Sequence, residues 1–196
     1  MVCYEEIRPL LNTGDIVLFS GKSFISWLIK KITGSPWSHV GLVLKSQELD
    51  SILIWESTTL NNIPNIENGR IAAGVQISSL SERIRHYNGT VGIRLLEARR
   101  TPEFIRAMID LKNEVRGYKY EQNKIKLIRS ALDLFWWQKN RKDLRSIFCS
   151  ELVAEAYQRV GLLDTNKVSS EYTPSDFGGH LILKTGVLQL VMTVMA

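Results

Sequence analysis

Cysteine, histidine and long apolar runs are scarce in this chain. Of its 196 residues, two are cysteine and three are histidine. The two cysteines, Cys3 and Cys149, are too few for a disulfide scaffold. One bridge between them stays open from sequence alone, but a sparse pair is more typical of a reducing compartment. The N-terminal MVCYEEIRPLLNTGD has no basic segment followed by an apolar core, so it does not resemble a secretory signal. We therefore expect a cytoplasmic protein.

Several families of motif are missing as well. The longest apolar run, GVLQLVMTVMA, is about half of the roughly 20 residues that a spanning helix needs. There is no CxxC, no histidine pair at ligand spacing, no phosphate-cradling glycine loop and no GxSxG elbow. We accordingly expect no metal and no cofactor.

The charge is mildly basic. Lys and Arg number 25 against 20 acidic residues, which gives a net charge of +5. Such an excess favours approach to an anionic surface such as phospholipid, but it falls far short of a nucleic-acid-binding composition. No arginine-rich tract or zinc-finger spacing is present. We expect no nucleic-acid partner.

The elements that the sequence predicts alternate between strands and helices without any linker or repeat. This pattern is typical of one α+β domain over residues 1–196 with an antiparallel sheet. The predicted strands are 15–20, 39–45, 51–57, 74–79 and 90–97, of which 39–45 and 51–57 form a hairpin. The predicted helices are 23–33, a short one in SLSERIRHY, one from Pro102 to about 115, and 146–161. SSEYTPSDFGGH is predicted as loop, followed by one or two strands.

Cys149 lies at the opening turn of the last predicted helix, SIFCSELVAEAYQRVG. Its position on the apolar stripe is compatible with a buried core thiol, since free cysteine is among the most buried residue types. The start of a helix also lowers the pKa of a thiol, because the positive end of the macrodipole favours thiolate. Glu151 opposes that effect. The residues alone leave core packing and nucleophile both open.

A nucleophilic thiol needs a base, most often a histidine held by a third polar group. His86 lies in a polar helix end, which favours a solvated surface residue, and His180 lies in a loop with a structural role favoured. His39 opens a predicted strand directly after SPWS. A structural role is the alternative there too, but the position is suited to a base at a sheet edge.

Glu56 is the candidate third member. It lies near the end of the second hairpin strand, and antiparallel pairing places the end of that strand beside the start of the first. An acid after ILIW is costly to place against an apolar sheet unless it has a partner. A solvent-facing strand end is the alternative interpretation.

Together these segments resemble a known family. TGDIVLFSG, SPWSHVGLVL, WEST, FCSELVAEAYQRVG and YTPSDF are similar to the circularly permuted branch of the NlpC-type papain-like cysteine hydrolases, which includes YiiX-like bacterial proteins and a poxvirus relative. Lecithin–retinol acyltransferase is a more distant relative. The resemblance spans about 13–177 and is weakest between 60 and 145.

The resemblance implies a permuted papain-like fold in which the cysteine-bearing helix packs against an antiparallel sheet or a small barrel. It implies Cys149 as nucleophile, His39 as general base and Glu56 as the group that orients His39. It also suggests a tyrosine hydroxyl facing the site, for which Tyr120 is preferred and Tyr118 is the alternative.

The function implied is that of a cysteine hydrolase, of peptidase, amidase or acyltransferase type, that acts on an amide or ester through an acyl-enzyme. The substrate is a small molecule, a lipid or a peptide. Large apolar residues, many of them aromatic, lie near basic ones. They favour a lipid-like substrate and peripheral association with an anionic membrane, although core packing of these residues is the alternative. They are Phe24, Ile25, Trp27, Trp37, Leu132, Leu134, Phe135, Trp136 and Trp137. A non-catalytic lipid- or acyl-group-binding module is the other interpretation of the chain.

Overall fold

The computed structural model of the protein describes residues 1–46, 51–117 and 149–196. Its strands are β1 (Val2–Cys3), β2 (Ile16–Gly21), β3 (His39–Ser46), β4 (Ser51–Thr58), β5 (Gly74–Ser79), β6 (Gly89–Arg94), β7 (Leu96–Glu97), β8 (Val187–Leu188) and β9 (Met192–Met195). Its helices are α1 (Tyr4–Ile7), α2 (Phe24–Thr33), α3 (Leu80–Arg85), α4 (Pro102–Glu114), α5 (Cys149–Arg159) and α6 (Pro174–Gly178), with 3-10 turns at Arg8–Leu10 and Ser169–Glu171.

Seven strands form one sheet in the order β1-β9-β6-β2-β3-β4-β5, and β7 pairs with β8 separately. Every pair in the large sheet is antiparallel except β1 with β9. The predicted α+β class and the antiparallel sheet are therefore confirmed. The arrangement is a sheet with β1 and β5 at its edges, and the small-barrel alternative is not needed to describe it.

Apolar side chains cover both faces of the sheet, because strand residues alternate between faces. On one face, Val40, Leu42 and Trp55 pack in a cluster with the buried side of α5, which includes Cys149. On the other face, Val43 and Ile54 belong to a second cluster that includes residues of α1 and α3. Helix α5 packs against β3 and β4, so its first residue, Cys149, can reach His39 at the start of β3.

The helix boundaries follow local capping chemistry. Ser23 accepts a hydrogen bond from the Ser26 N–H at the start of α2, and Thr101 accepts one from the Phe104 N–H before Pro102 opens α4. Both helices agree closely with their predicted ranges. The part of the predicted 146–161 helix before Cys149 lies outside the described residues.

The prediction of loop for SSEYTPSDFGGH is wrong in part. Residues Pro174–Gly178 form α6, and a 3-10 turn precedes it. Thr173 and Asp176 form a reciprocal capping box, with Pro174 at the first helical position. That signal is present in TPSD, but the short segment and its flanking glycines obscured it. In the three described ranges, we find no helix with the length and apolar character needed to cross a membrane.

Candidate active site

The imidazole of His39 and the carboxylate of Glu56 are joined directly across the β3–β4 hairpin. Nε2 of His39 lies 2.6 Å from Oε2 of Glu56. The regular ladder runs from Leu42 opposite Trp55 to Ser46 opposite Ser51. Extended one step, that register sets Glu56 opposite Gly41, so the carboxylate reaches His39 diagonally along one face of the hairpin. The predicted proximity of the two side chains is present in the structure.

Gly41 makes room for this diagonal contact. A Cβ atom on Gly41 would lie 3.2 Å from Cβ of Glu56 and 3.0 Å from Cδ1 of Ile54. Because glycine has no side chain, Glu56 can occupy the space between the strands and still reach the strand start. Gly41 in SHVGLVL therefore leaves the space that the Glu56 side chain needs to reach His39.

Cys149 reaches the same imidazole from α5. Its thiol is in hydrogen-bond contact with His39, and the backbone N–H groups of Val40 and Ser150 also interact with its sulfur. Since Nε2 of His39 is engaged by Glu56, Nδ1 is the nitrogen left to face the sulfur. The side chain of His39 is 15% exposed, and Cys149 is 7% exposed. The site is therefore enclosed by protein but open at the imidazole.

The charges of this trio stabilise one another. Burial is the largest influence on Cys149 and raises the pKa of its thiol, but the charge and hydrogen bond of His39 and the two N–H groups bring that pKa below its ordinary value. Burial likewise lowers the pKa of His39, whereas the Cys149 thiolate and then Glu56 raise it, to about 10. Each group thus favours the charged form of the other, which biases the pair toward thiolate and imidazolium.

Glu56 is kept ionised by a second cation that sequence reasoning missed. Both Nε and Nη2 of Arg83, on α3, lie 2.7 Å from Oε1 of Glu56, and both side chains are 0% exposed. Burial is the largest influence and raises the pKa of Glu56, but the hydrogen bond from His39 and the charge of Arg83 outweigh it and leave the pKa lowered. Each carboxylate oxygen is thus used, one by Arg83 and one by His39.

The remaining donors of Arg83 are satisfied too. Nη1 donates to Oδ1 of Asn62 at 2.7 Å. The amide of Gln76, oriented to suit both neighbours, accepts from Nη2 at 2.6 Å and donates to the Ala72 carbonyl at 3.2 Å. The sequence did contain a signal, because Arg83 shares a helix face with Leu80 and Ile84, and all three are buried. A buried arginine needs acceptors for its charged donors, and a carboxylate is one of the groups that supplies them.

Among the described residues, Tyr87 is a tyrosine that lies close to the trio. The ring of Tyr87 packs on Phe19 at a centroid distance of 4.7 Å, and Phe19 packs on His39 at 5.3 Å. Burial raises the pKa of Tyr87 to about 12, against a hydrogen bond with Ser38 that lowers it. Tyr120 and its alternative Tyr118 lie outside the described residues.

The other two histidines are exposed to solvent, whereas the apolar residues predicted to face a membrane differ in their exposure. His86 is about half exposed and lies 3.3 Å from Glu82, which agrees with a surface role, and His180 is exposed. Trp37, proposed for an interfacial surface, is instead buried against Gly92 and Gly178, because no side chain at those glycines blocks its ring. Ile25 is half-buried. The predicted apolar group from Leu132 to Trp137 lies outside the described residues.

Within residues 1–46, 51–117 and 149–196, no group of three or more His, Cys, Asp and Glu side chains is arranged to hold a metal ion. What the site does contain is a hydrogen-bonded line from Arg83 through Glu56 and His39 to Cys149. A thiol, an imidazole and a carboxylate in this order can form a thiolate and move a proton.

Comparison with known proteins places the fold. No protein-family profile matches this chain, and no curated protein sequence matches it. Among solved structures, the chain is similar to the metalloprotein YiiX from Escherichia coli O157:H7 (DUF1105), with a TM-score of 0.53 and 21% sequence identity. The match covers 76% of this chain and 66% of YiiX, just under two thirds of that protein. The molecule therefore has a YiiX-like α+β fold.

Proposed function

We propose that this protein is a cysteine-dependent hydrolase or acyltransferase that cleaves an amide or ester through an acyl-enzyme. One observation carries the proposal: the imidazole of His39 is bound on one side by Glu56 and on the other by Cys149. A thiol used only for core packing has no need of a charged partner that lowers its pKa.

The chemistry follows from the positions of the three groups. The Cys149 proton resides on His39, and the thiolate attacks the substrate carbonyl carbon. Collapse of the tetrahedral intermediate breaks the bond to the amine or alcohol, which leaves with the proton from His39, and a thioester on Cys149 remains. Water or another nucleophile, deprotonated by His39, then attacks the thioester and releases the thiolate.

Glu56 acts through His39 rather than on the substrate. Its hydrogen bond fixes the ring so that Nδ1 faces the sulfur, and its charge stabilises the imidazolium. The backbone N–H groups at the start of α5 are suited to donate hydrogen bonds to the carbonyl oxygen as it becomes negative, since the positive end of the helix dipole lies there.

We infer further that the fold is a circularly permuted papain-like fold of the NlpC type. The order of the site residues along the chain, His39, Glu56 and then Cys149, is the reverse of the ordinary papain-like order. The packing of α5 on β3 and β4 supports this, because it puts the cysteine helix beside the histidine strand.

The test is the rate at which iodoacetamide labels Cys149 between about pH 5 and 9, followed by mass spectrometry, with Cys3 as internal control. We expect Cys149 to react as a thiolate well below the pH at which an ordinary thiol of pKa about 8.5 does so. In His39→Ala the profile should move upward, because only the N–H groups of Val40 and Ser150 then oppose the rise in thiol pKa that burial causes.

A Cys149 that is inert or ordinary at every pH, and indifferent to His39, would contradict the proposal. The non-catalytic lipid- or acyl-group-binding module would then be the better interpretation. A reactive Cys149 leads on to a screen of acyl amides and esters, in which Cys149→Ala must abolish turnover.

A further inference from the structure

Helix α2 carries large aromatic side chains on its solvent side. No residue of α2 is buried, and Phe24 and Trp27 are 69% and 50% exposed. Their rings stack on one another with centroids 5.7 Å apart. Together with Lys31 they follow the spacing i, i+3, i+7, which places the three on one face of the helix. We call Phe24, Trp27 and Lys31 the outer face of α2.

This exposure is a stable feature of a well-formed helix. Ser23 caps the first turn, and α2 ends at Gly34 with the Ser35 N–H bound to the Lys30 carbonyl. On the inner side, Nζ of Lys30 donates to the Gly21 carbonyl at 2.9 Å and approaches Oγ of Ser20 at 3.4 Å. A polar tether, rather than buried apolar side chains, holds α2 to β2 and leaves the aromatics outward.

The sequence of α2 and the residues next to it carries charge of one sign. Between residues 16 and 36 there are three lysines, at 22, 30 and 31, and no aspartate or glutamate. Exposed aromatic residues beside lysines, on an amphipathic helix, are the composition of helices that lie in the interface of an anionic bilayer. A second copy of the chain is a poorer partner, because a symmetric contact would bring the same lysines together.

The first turn of α2 also borders the candidate active site. A Cβ atom on Gly21 would lie 2.5 Å from Oγ of Ser26 and 2.8 Å from Oη of Tyr87, so these two hydroxyls approach each other at the end of β2. Tyr87 in turn contacts Ser38, the neighbour of His39. A lipid surface in contact with α2 would therefore be connected to His39 through Ser26, Tyr87 and Ser38.

We propose that α2 docks on an anionic phospholipid surface through its outer face and its lysines, and that the substrates of Cys149 are acyl esters or amides of lipids held in that surface. The docking stands on the exposure and charge of α2. The assignment of a lipid substrate rests in addition on the proposed function.

Vesicle flotation of the full chain tests the docking. We expect the protein to float with phosphatidylcholine vesicles that contain about one third phosphatidylserine and not with phosphatidylcholine alone, and to be released as salt rises to about 0.5 M. Replacing both Phe24→Gln and Trp27→Gln should weaken the partition roughly tenfold or more. Lys22→Glu with Lys31→Glu should abolish the preference for phosphatidylserine.

The matched control is Ile109→Gln, which removes an exposed apolar residue from α4 and should leave flotation unchanged. Iodoacetamide labelling of Cys149 in the Phe24/Trp27 variant should equal that of the wild type, which shows that the site remains folded. Cys149→Ala should float like the wild type.

The proposal is overturned if the wild type does not float with anionic vesicles at low salt, or if the Phe24/Trp27 variant floats equally well. Self-association that depends on Phe24 and Trp27, without vesicle binding, would assign the face to a second copy instead. If the protein floats but Cys149 is labelled like an ordinary thiol, the docking proposal stands and the enzyme proposal fails. If Cys149 is reactive but the protein does not float, the enzyme proposal stands and the docking proposal fails.

Discussion

Among the described residues, Glu56 and Asp15 are the most deeply buried carboxylates, at 0% and 1% exposure, and each is bound by an arginine. Asp15 accepts from the N–H groups of Asn12 and Leu96 at 2.7 and 2.9 Å and from Arg100 at 2.8 Å. Its pKa is nevertheless raised, because burial is the largest influence and outweighs these donors. The pKa of Glu56 is lowered.

The difference lies in what each carboxylate faces. Asp15 joins the loop before β2 to β7 through backbone donors and a partly exposed arginine, which is a structural task. Glu56 faces a fully buried arginine and a titratable imidazole. Burial and an arginine are shared by both carboxylates. What distinguishes Glu56, the proposed orienting group, is a titratable imidazole at hydrogen-bond distance.

Substituting the arginine that binds each carboxylate should have the largest effect, and that effect is on stability. Arg83→Gln should lower the free energy of unfolding by about 3–5 kcal/mol, because it leaves Glu56 buried with one oxygen lacking its donor. Arg100→Gln, whose arginine is 19% exposed, should cost about 1–2 kcal/mol, since water reaches its site. Denaturant unfolding measures both. Equal losses would show that the two ion pairs do not differ, and Arg83→Lys should recover part of the loss.

The next effect is on reactivity. On the proposed function, Glu56→Gln should reduce acyl-ester turnover by roughly 10²-fold or more. The His39 ring loses the negative charge that orients it, and the single amide oxygen that remains cannot accept from both Arg83 and His39. Asp15→Asn should leave turnover within about twofold, as Asp15 does not contact the trio. Turnover of both variants is compared with the wild type at one pH. Should Asp15→Asn slow the reaction as much as Glu56→Gln, the loss would reflect the fold and not the orientation of His39.

The smallest expected effect is on the pH dependence of stability. The free-energy cost of each substitution should change by about 1 kcal/mol with pH, in opposite directions for the two carboxylates. The lowered pKa of Glu56 stabilises the fold above its unfolded pKa of about 4.5, so the cost of Glu56→Gln should shrink as the pH falls below that value. The raised pKa of Asp15 has the opposite sign: its stabilisation is lost as pH rises through the folded pKa, so the cost of Asp15→Asn should grow toward low pH.

Unfolding of the three proteins between about pH 7 and 3.5 measures these slopes. Parallel slopes for the two variants would mean that the two carboxylates share one electrostatic environment.

Local chemistry was legible without a structure wherever neighbours along the chain decided it. Alternating apolar residues predict the hairpin β3–β4, and hairpin pairing alone brings His39 near Glu56. The predicted helices 23–33 and from Pro102 begin within a residue of α2 and α4 in the structure. The proximity of Cys149 to His39 followed only from the family resemblance, since the two residues lie 110 positions apart in the chain.

What only the tertiary structure decided is how distant segments meet. Arg83 meets Glu56 because α3 packs over β4, and Trp37 is buried, whereas Phe24 and Trp27 are exposed, because of the elements that lie beside each. Periodicity gives the face of a helix or strand but not what covers it. Burial depends on contacts between residues far apart in sequence, and the pKa of each group in the site depends on burial. The tertiary structure therefore sets the pKa values of Cys149, His39 and Glu56.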